Sequence, residues 1–264
     1  MKMMKWILFF LLFFCCYGCS DNNNMILDEE ELLARSIESR GAAFPRWKIF
    51  VFRTGSFGNS SQSACNSEER NIFYYFAPVV FKEYSIQEYL LKQFEVKSIP
   101  IEVGMAEMSY LAESYYEPYR KAIFFKDLDC IKVYNIEHEF LHAVQHLLLG
   151  YSMLGSSGKR SYEYEAYMAM DLLKCISSGR KLTPDEISGN PGKEKTEEYV
   201  TMLYELTQLN GKNKWGDLRF KFNEWIETWP GYTNETKIGN FEPRLLYYIL
   251  DVHYKRITPI IIKK

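Results

Sequence analysis

The spacing of polar and apolar residues changes near the middle of the chain. In the first half, short β-rich runs predict strands, at residues 48–53, 72–81, 98–103 and 121–125. In the second half, apolar residues at helical spacing predict helices, at residues 162–177, 196–209, 215–229 and 242–254. Strands followed by helices along a chain are typical of an α+β fold, here with a small mixed sheet and a mainly helical C-terminal lobe.

Residues that favour helix ends add three more helices. Residues 25–40 are expected to be helical, with a glycine directly after them as the stop. Ser85 and Glu88 form a capping-box pattern that opens a helix to about residue 95. Asn135 is expected to cap a helix that runs to Leu149. This last helix contains three of the four histidines of the chain.

The first residues have the pattern of an export signal. Lys2 and Lys5 precede an apolar run at residues 6–14, which is too short to span a membrane as a mature helix. Gly18 then stands directly before Cys19. This arrangement resembles a bacterial lipoprotein signal, in which the chain is cleaved before a cysteine that is then acylated. The resemblance implies a signal peptide at residues 1–18 and lipidation of Cys19.

The segment after this signal completes the predicted organisation. Residues 19–24 would be a polar tether and residues 25–264 a folded domain, with an α/β lobe at 25–150 and a helical lobe at 151–264. The tether resembles that of a surface lipoprotein from the Bacteroides group. This implies a protein of the cell envelope, attached to a membrane by lipid and either periplasmic or surface-exposed. Plain secretion after cleavage near Gly18 is the alternative.

Composition narrows the class of protein. Apolar residues make up 47% of the chain and charged residues 25%, which is typical of a globular protein and excludes a disordered one. The formal net charge of −2 gives no broad basic surface for nucleic acid. Three cysteines follow the tether: Cys65, Cys130 and Cys175. Either one disulfide with a free thiol or three buried thiols is consistent with them.

Residues 138–142 read His-Glu-Phe-Leu-His and suggest a metal site. Histidines four positions apart lie on one face of a helix, about 40° apart, so both imidazoles can reach one ion. Glu139, next to the first histidine, lies at the edge of that face, where it can contact a metal-bound water. The apolar residues fall on the opposite side, which predicts a helix packed on a core with its histidines lining a cleft.

A catalytic zinc needs a third protein ligand, and two carboxylates lie on the next predicted helix. Glu165 projects from the apolar stripe of that helix, where an unpaired carboxylate is costly, so we assign it as the third ligand. Glu163 falls on the outer side. Glu163 is the alternative third ligand. Glu163 and His146 are also candidates for contacts to the ligands. An ion pair of Glu165 with a buried lysine or arginine is the alternative.

The His-Glu-x-x-His helix, followed by Glu-Ala-x-x-Ala on a second helix, resembles the gluzincin zinc metallopeptidases over residues 121–173. The resemblance implies a zincin-like fold and one zinc ion per chain, bound by His138, His142 and Glu165. It also implies hydrolysis of peptide bonds by a zinc-activated water, with Glu139 as the general base. The partners of such a protein are peptide or protein substrates.

The resemblance also bears on the substrate-binding strand, on the group that orients a zinc histidine and on the group that stabilises the oxyanion. The strand at residues 121–125 would form the edge of the cleft and bind substrate as an added strand. Thermolysin-like members orient a zinc histidine with an aspartate one turn after the glutamate ligand, but Ala169 stands there in this chain. The group that stabilises the oxyanion is left open among four candidates: His253, Tyr119, Tyr162 and Tyr164.

Two other functions are compatible with the same residues. A lipoprotein could keep the zincin fold without activity and bind a peptide or protein. A non-enzymatic surface protein, for example one that binds a glycan or a protein partner, could contain the five-residue motif by coincidence. Zinc binding separates coincidence from a metal centre, and peptide hydrolysis separates an active centre from an inactive one.

Overall fold

The computed structural model describes most of the chain after residue 47. The described residues are 48–52, 61–82, 85–108, 112–150, 158–208 and 210–262, with side chains to residue 256. The predicted signal peptide at 1–18, the tether at 19–24 with Cys19, and the predicted helix at 25–40 all lie outside these residues.

A five-stranded mixed sheet forms the first half of the described fold. Its strands are β1 (Phe50–Phe52), β2 (Gln62–Ala64), β3 (Ile101–Ala106), β4 (Ser114–Glu117) and β5 (Ala122–Phe125). β3 is central: it pairs in parallel with β1 and β5 and antiparallel with β2. β4 pairs antiparallel with β5 and is the last strand of the sheet on that side. Three of the four predicted strands are thus confirmed.

Helices make up most of the remaining described chain. They are α1 (Ser67–Val80), α2 (Ile86–Val96), α3 (Val133–Leu149), α4 (Lys159–Ser178), α5 (Thr196–Thr207), α6 (Trp215–Thr228) and α7 (Arg244–Ile262). The described strands all precede α3, which confirms the predicted α+β organisation. None of the described helices combines the length and apolar character that a membrane span requires.

α1 replaces a predicted strand. The β-rich residues 72–81 fall almost entirely within this helix, so the strand prediction is wrong. Asn66 caps the helix by accepting from the backbone N–H of Glu69, whose side chain accepts from Asn66 in return. The buried residues Phe73, Ala77 and Val80 have helical spacing, and the capping box outweighs the strand propensity of the aromatic residues around them.

α3 lies in the middle of the described fold. It packs against α1, α4 and α7 and against the strands β4 and β5. Its apolar side carries Phe140, whose ring packs edge-on against Phe81 with centroids 4.7 Å apart. The helix begins at Val133, so Asn135 is inside it rather than at its cap. The Asn135 amide instead donates to the carbonyl of Cys130, which leaves it no capping role.

The three cysteines of the described chain are buried free thiols. This agrees with the second of the two alternatives that the sequence leaves open. Burial raises the pKa of Cys65 to about 12, and those of Cys130 and Cys175 to about 11. Thiols in this state are poor nucleophiles and poor metal ligands, so they belong to the packing of the fold.

Candidate metal centre

Three ligand atoms from two helices meet beside a cleft. α3 places His138 and His142 one turn apart, and α4 brings Glu163 to them. The two imidazole Nε2 atoms are 3.1 Å apart. Oε2 of Glu163 lies 3.2 Å from Nε2 of His138 and 3.4 Å from Nε2 of His142. Among the described residues, this is the only cluster of such side chains that could hold one ion.

The separations of these atoms fit a tetrahedral metal site. Metal–ligand bonds of about 2.0–2.1 Å at tetrahedral angles put neighbouring ligand atoms about 3.3 Å apart. The three observed distances are close to that value. Two imidazoles and one carboxylate are also a donor set that catalytic zinc sites use, with the fourth position left for water or substrate. The residues therefore fit a divalent ion such as zinc.

The charges of the cluster favour a cation. Burial opposes a positive charge on His142, but the carboxylates of Glu163 and Glu139 outweigh it and raise the pKa of His142 to about 9. Burial also opposes the negative charge of Glu163, yet His142 and His138 hold its pKa well below the usual range. Positive charge is thus what keeps this half-buried carboxylate ionised, and a metal ion supplies such charge directly.

The carboxylate that joins the histidines is Glu163 and not the predicted Glu165. Glu165 is fully buried, as its position on the apolar stripe predicts, but it faces the start of α7. Its Oε1 accepts from the backbone N–H of Leu245 at 2.8 Å and its Oε2 from Nε2 of Gln145 at 2.7 Å. Burial shows that a carboxylate needs partners, but it does not distinguish an ion from amide N–H groups.

Near the start of α4, the side of the helix that carries Glu163 does not face solvent. It packs against the histidines of α3 and against Tyr232. Glu163 contacts the histidines of α3 and hydrogen-bonds with the hydroxyl of Tyr232. The residue one turn after Glu163 is Tyr167, whose ring packs on His138 with centroids 4.6 Å apart. Tyr134 stacks parallel to the same imidazole at 6.3 Å. The contacts that surround the His138 ring are thus aromatic, and its Nδ1 has no hydrogen-bond partner among the described residues.

Glu139 lies beside the ligands with one oxygen held and one free. The hydroxyl of Ser114, on β4, donates to Oε1 of Glu139 at 2.8 Å. Oε2 is buried and has no hydrogen-bond partner within the described part of the chain. Burial raises the pKa of Glu139, although His138 and His142 act in the opposite direction. A carboxylate with a raised pKa and one free oxygen in a cleft suits a general base.

The cluster opens into a cleft of about 550 Å³. Residues of β4 and the turn after it, of α3, of the start of α4 and of the loop before α7 line this cleft. Five tyrosines contribute to the lining: Tyr115, Tyr116, Tyr119, Tyr162 and Tyr232. This volume is within the range of small-molecule and peptide-side-chain sites, and the lining combines aromatic surface with hydroxyl groups.

The strand at the edge of the cleft is β4 and not the predicted strand at residues 121–125. β5 lies between β3 and β4, so its backbone is paired on both sides. β4 has the sequence Ser-Tyr-Tyr-Glu, and all four residues are half-buried. A strand this short has no clear alternation of polar and apolar residues, which is why the sequence pattern did not reveal it.

Tyr232 is a cleft residue that the sequence pattern did not indicate. It lies in the loop between α6 and α7, with a backbone φ of 52° that is uncommon for a non-glycine residue. Its ring stacks on Trp229 at 5.8 Å, and Nζ of Lys159 lies 5.3 Å from the ring centroid. Burial raises the pKa of Tyr232, with the neighbouring Glu163 acting in the same direction, so the phenol stays a neutral O–H donor.

The remaining predicted site residues lie in different places. Nδ1 of His146 hydrogen-bonds with the hydroxyl of Tyr116 on β4 at 2.9 Å, so His146 contacts the cleft strand and is not in the ligand cluster. His253, on α7, hydrogen-bonds with the carbonyl of Thr207, and Tyr164 is buried in the core. Of the four oxyanion candidates, Tyr119 and Tyr162 line the cleft and the other two are not among its lining residues.

No family model matches this sequence, and no curated protein and no solved structure is significantly similar to it.

Proposed function

We propose that the protein is a zinc-dependent peptidase of the cell envelope. The observation that carries the proposal is the triangle of His138, His142 and Glu163 beside Glu139, which has a free buried oxygen in an open cleft. The sequence resemblance to the gluzincins supports the same function, with Glu163 as the third ligand in place of Glu165. A zinc ion held by these residues supplies Lewis-acid chemistry, lowering the pKa of water and polarising a carbonyl.

Glu139 acts as the proton carrier of the reaction. Ser114 fixes its Oε1, so Oε2 is the atom that takes a proton from the attacking water and later passes it to the leaving amine. Because burial raises the pKa of Glu139, its carboxylate accepts a proton more readily than an exposed glutamate does. The carboxylate is buried within the lining of the cleft.

β4 positions a peptide substrate. Its outer edge is unpaired within the described sheet, and the strand lies along the cleft next to Glu139. Backbone N–H and C=O groups at such an edge bind an extended peptide as an added strand. The hydroxyl of Tyr232, on another side of the cleft beside Glu163, is the donor placed to stabilise negative charge on the carbonyl oxygen.

Zinc content and peptide hydrolysis test this function together. The purified wild-type protein is expected to contain one zinc ion and to hydrolyse a fluorogenic peptide library. Glu139→Gln is expected to retain zinc and to lose about 10²–10⁴-fold in rate, the contribution of a general base. If the wild-type protein binds no metal, the His-Glu-x-x-His motif is a coincidence. If it binds zinc but hydrolyses no peptide, it is a binding protein. Equal rates for the two proteins would reject Glu139 as the base.

The envelope location rests on the N-terminal sequence and has its own test. Cys19→Ala is expected to move the expressed protein from the detergent-soluble membrane fraction to the aqueous fraction, because the residue that would be acylated is gone. A wild-type protein that already partitions into the aqueous fraction would contradict the lipid anchor and leave plain secretion.

A further inference from the structure

A buried chain of hydrogen bonds runs from His142 to the beginning of α7. Nδ1 of His142 lies 2.7 Å from Oε1 of Gln145. Nε2 of Gln145 donates to Oε2 of Glu165 at 2.7 Å, and Oε1 of Glu165 accepts from the backbone N–H of Leu245 at 2.8 Å. Gln145 and Glu165 have no exposed surface. The chain thus joins the metal-binding face of α3 to the beginning of α7 through a side chain of α4.

The acceptors in this chain determine which way the Gln145 amide points. Its Nε2 also donates to the carbonyl of Tyr162 at 3.0 Å. A backbone carbonyl oxygen only accepts hydrogen bonds, so the group of Gln145 that faces Tyr162 is the NH₂ group, and the same group faces Glu165. The carbonyl oxygen of Gln145 therefore faces His142, and Nδ1 of His142 must carry the proton. An imidazole protonated at Nδ1 presents a lone pair at Nε2, the atom in the ligand cluster.

Glu165 in turn is fixed by α7. The backbone N–H of Leu245 belongs to the first turn of that helix, where N–H groups have no partner inside the helix and attract negative charge. The carboxylate satisfies this donor with one oxygen and orients Gln145 with the other. Its position therefore depends on α7 and not on an ion.

We infer that Glu165 is a positioning residue of the metal centre. Acting through Gln145, it holds His142 in the orientation and tautomer in which Nε2 can bind a metal. The inference rests on the proposed metal site of His138, His142 and Glu163, but it concerns the affinity of that site and does not depend on peptidase activity.

Glu165→Gln is the sharpest test because it changes the hydrogen-bond pattern with almost no change in shape. The N–H of Leu245 keeps the new amide oxygen on its side, so the new NH₂ group faces the NH₂ group of Gln145. Either that contact is lost or the Gln145 amide turns over, presents its NH₂ group to Nδ1 and favours protonation of Nε2. The zinc affinity is expected to fall about 10- to 100-fold, measured by competition with a chromophoric chelator.

Two more variants keep the test independent of folding. Gln145→Met has a similar size but accepts no strong hydrogen bond, and it leaves Glu165 bound to Leu245; the same fall in zinc affinity is expected. Asp171→Asn is the matched control: it alters another buried carboxylate of α4, one that accepts from the backbone N–H groups of Ser188 and Gly189. Its zinc affinity is expected to stay within about twofold of wild type.

Spectroscopy distinguishes repositioning from general loosening. With cobalt(II) in place of zinc, the visible absorption bands are expected to change in Glu165→Gln and Gln145→Met and to match wild type in Asp171→Asn. Wild-type affinity and spectrum in a folded Glu165→Gln or Gln145→Met variant would overturn the inference while leaving the proposed function intact. An equal loss in Asp171→Asn would overturn it too. A wild-type protein that binds neither metal would contradict the proposed function and the inference together.

Discussion

Two carboxylates at the start of α4, two residues apart, have opposite electrostatic settings: the Glu163 side chain is 12% exposed at the cleft, and Glu165 is fully buried. Glu163 contacts the imidazoles of α3, and these hold its pKa well below the usual range despite burial. Glu165 accepts hydrogen bonds from neutral amides, and burial raises its pKa to about 7. The comparison teaches that depth alone does not assign a role to a carboxylate. The role of a carboxylate depends on whether the groups that contact it are charged or neutral.

A third carboxylate of the same helix extends the comparison. Asp171 is fully buried and accepts from the backbone N–H groups of Ser188 and Gly189, each at 2.7 Å, and from the hydroxyl of Tyr199 at 2.8 Å. Burial raises its pKa, as for Glu165. Asp171 holds a loop onto the helix and is not among the residues that line the cleft. One helix thus carries a proposed ligand, a proposed positioning residue and a structural carboxylate.

Replacement of Glu163 is expected to have the largest effect. A zinc site supplies roughly 10–16 kcal/mol, so the loss of one of its protein ligands should weaken zinc binding about a thousandfold. Chelator competition on Glu163→Ala measures this, with circular dichroism to confirm folding. The loss should exceed that of Glu165→Gln. If Glu165→Gln weakened zinc binding more than Glu163→Ala, Glu165 would be the ligand and Glu163 would not.

Tyr232→Phe is expected to lower kcat about 100-fold, because it removes the hydroxyl proposed to stabilise developing charge. The same hydroxyl contacts Glu163, so the zinc affinity is expected to fall as well, but much less than in Glu163→Ala. Steady-state peptide hydrolysis gives kcat and KM separately. Tyr119→Phe is the comparison variant, since Tyr119 also lines the cleft but is largely exposed. Equal effects of the two substitutions would speak against a specific role for Tyr232.

Asp171→Asn is expected to lower the free energy of unfolding by about 2 kcal/mol, because an amide cannot accept from all three of its buried donors. Urea denaturation followed by tryptophan fluorescence measures the change. The zinc affinity of the folded protein should not change. A drop in affinity that parallels the drop in stability would remove the distinction between the core and cleft carboxylates of α4.

Ser114→Ala is expected to have the smallest effect. It removes one neutral donor to Glu139, a hydrogen bond of about 1 kcal/mol, so the hydrolysis rate should fall about fivefold while zinc stays bound. The pH dependence of kcat/KM should shift to higher pH, because a carboxylate that loses a donor binds its proton more tightly. A rate equal to that of wild type would mean that Ser114 does not orient Glu139.

The sequence predicted those parts of the fold that depend on local periodicity. Strands β1, β3 and β5 and helices α2 and α4 to α7 follow from apolar spacing and helix-end residues. α1 was mistaken for a strand because its aromatic residues favour strands when only their composition is considered. β4 was missed because four half-buried residues carry no periodic signal. The capping box of Asn66 and Glu69 is a local signal for α1 that residue composition does not include, whereas β4 depends on its pairing with β5.

The sequence by itself determined that His138 and His142 share one side of a helix, that Glu139 lies at its edge, and that Glu165 is buried. Each of these follows from the fixed geometry of an α-helix and from the cost of exposing apolar surface. Only the tertiary structure decided which carboxylate reaches the imidazoles. That choice depends on how α4 is rotated against α3 and on where α7 places its free N–H groups, and neither is encoded in the periodicity of a single segment.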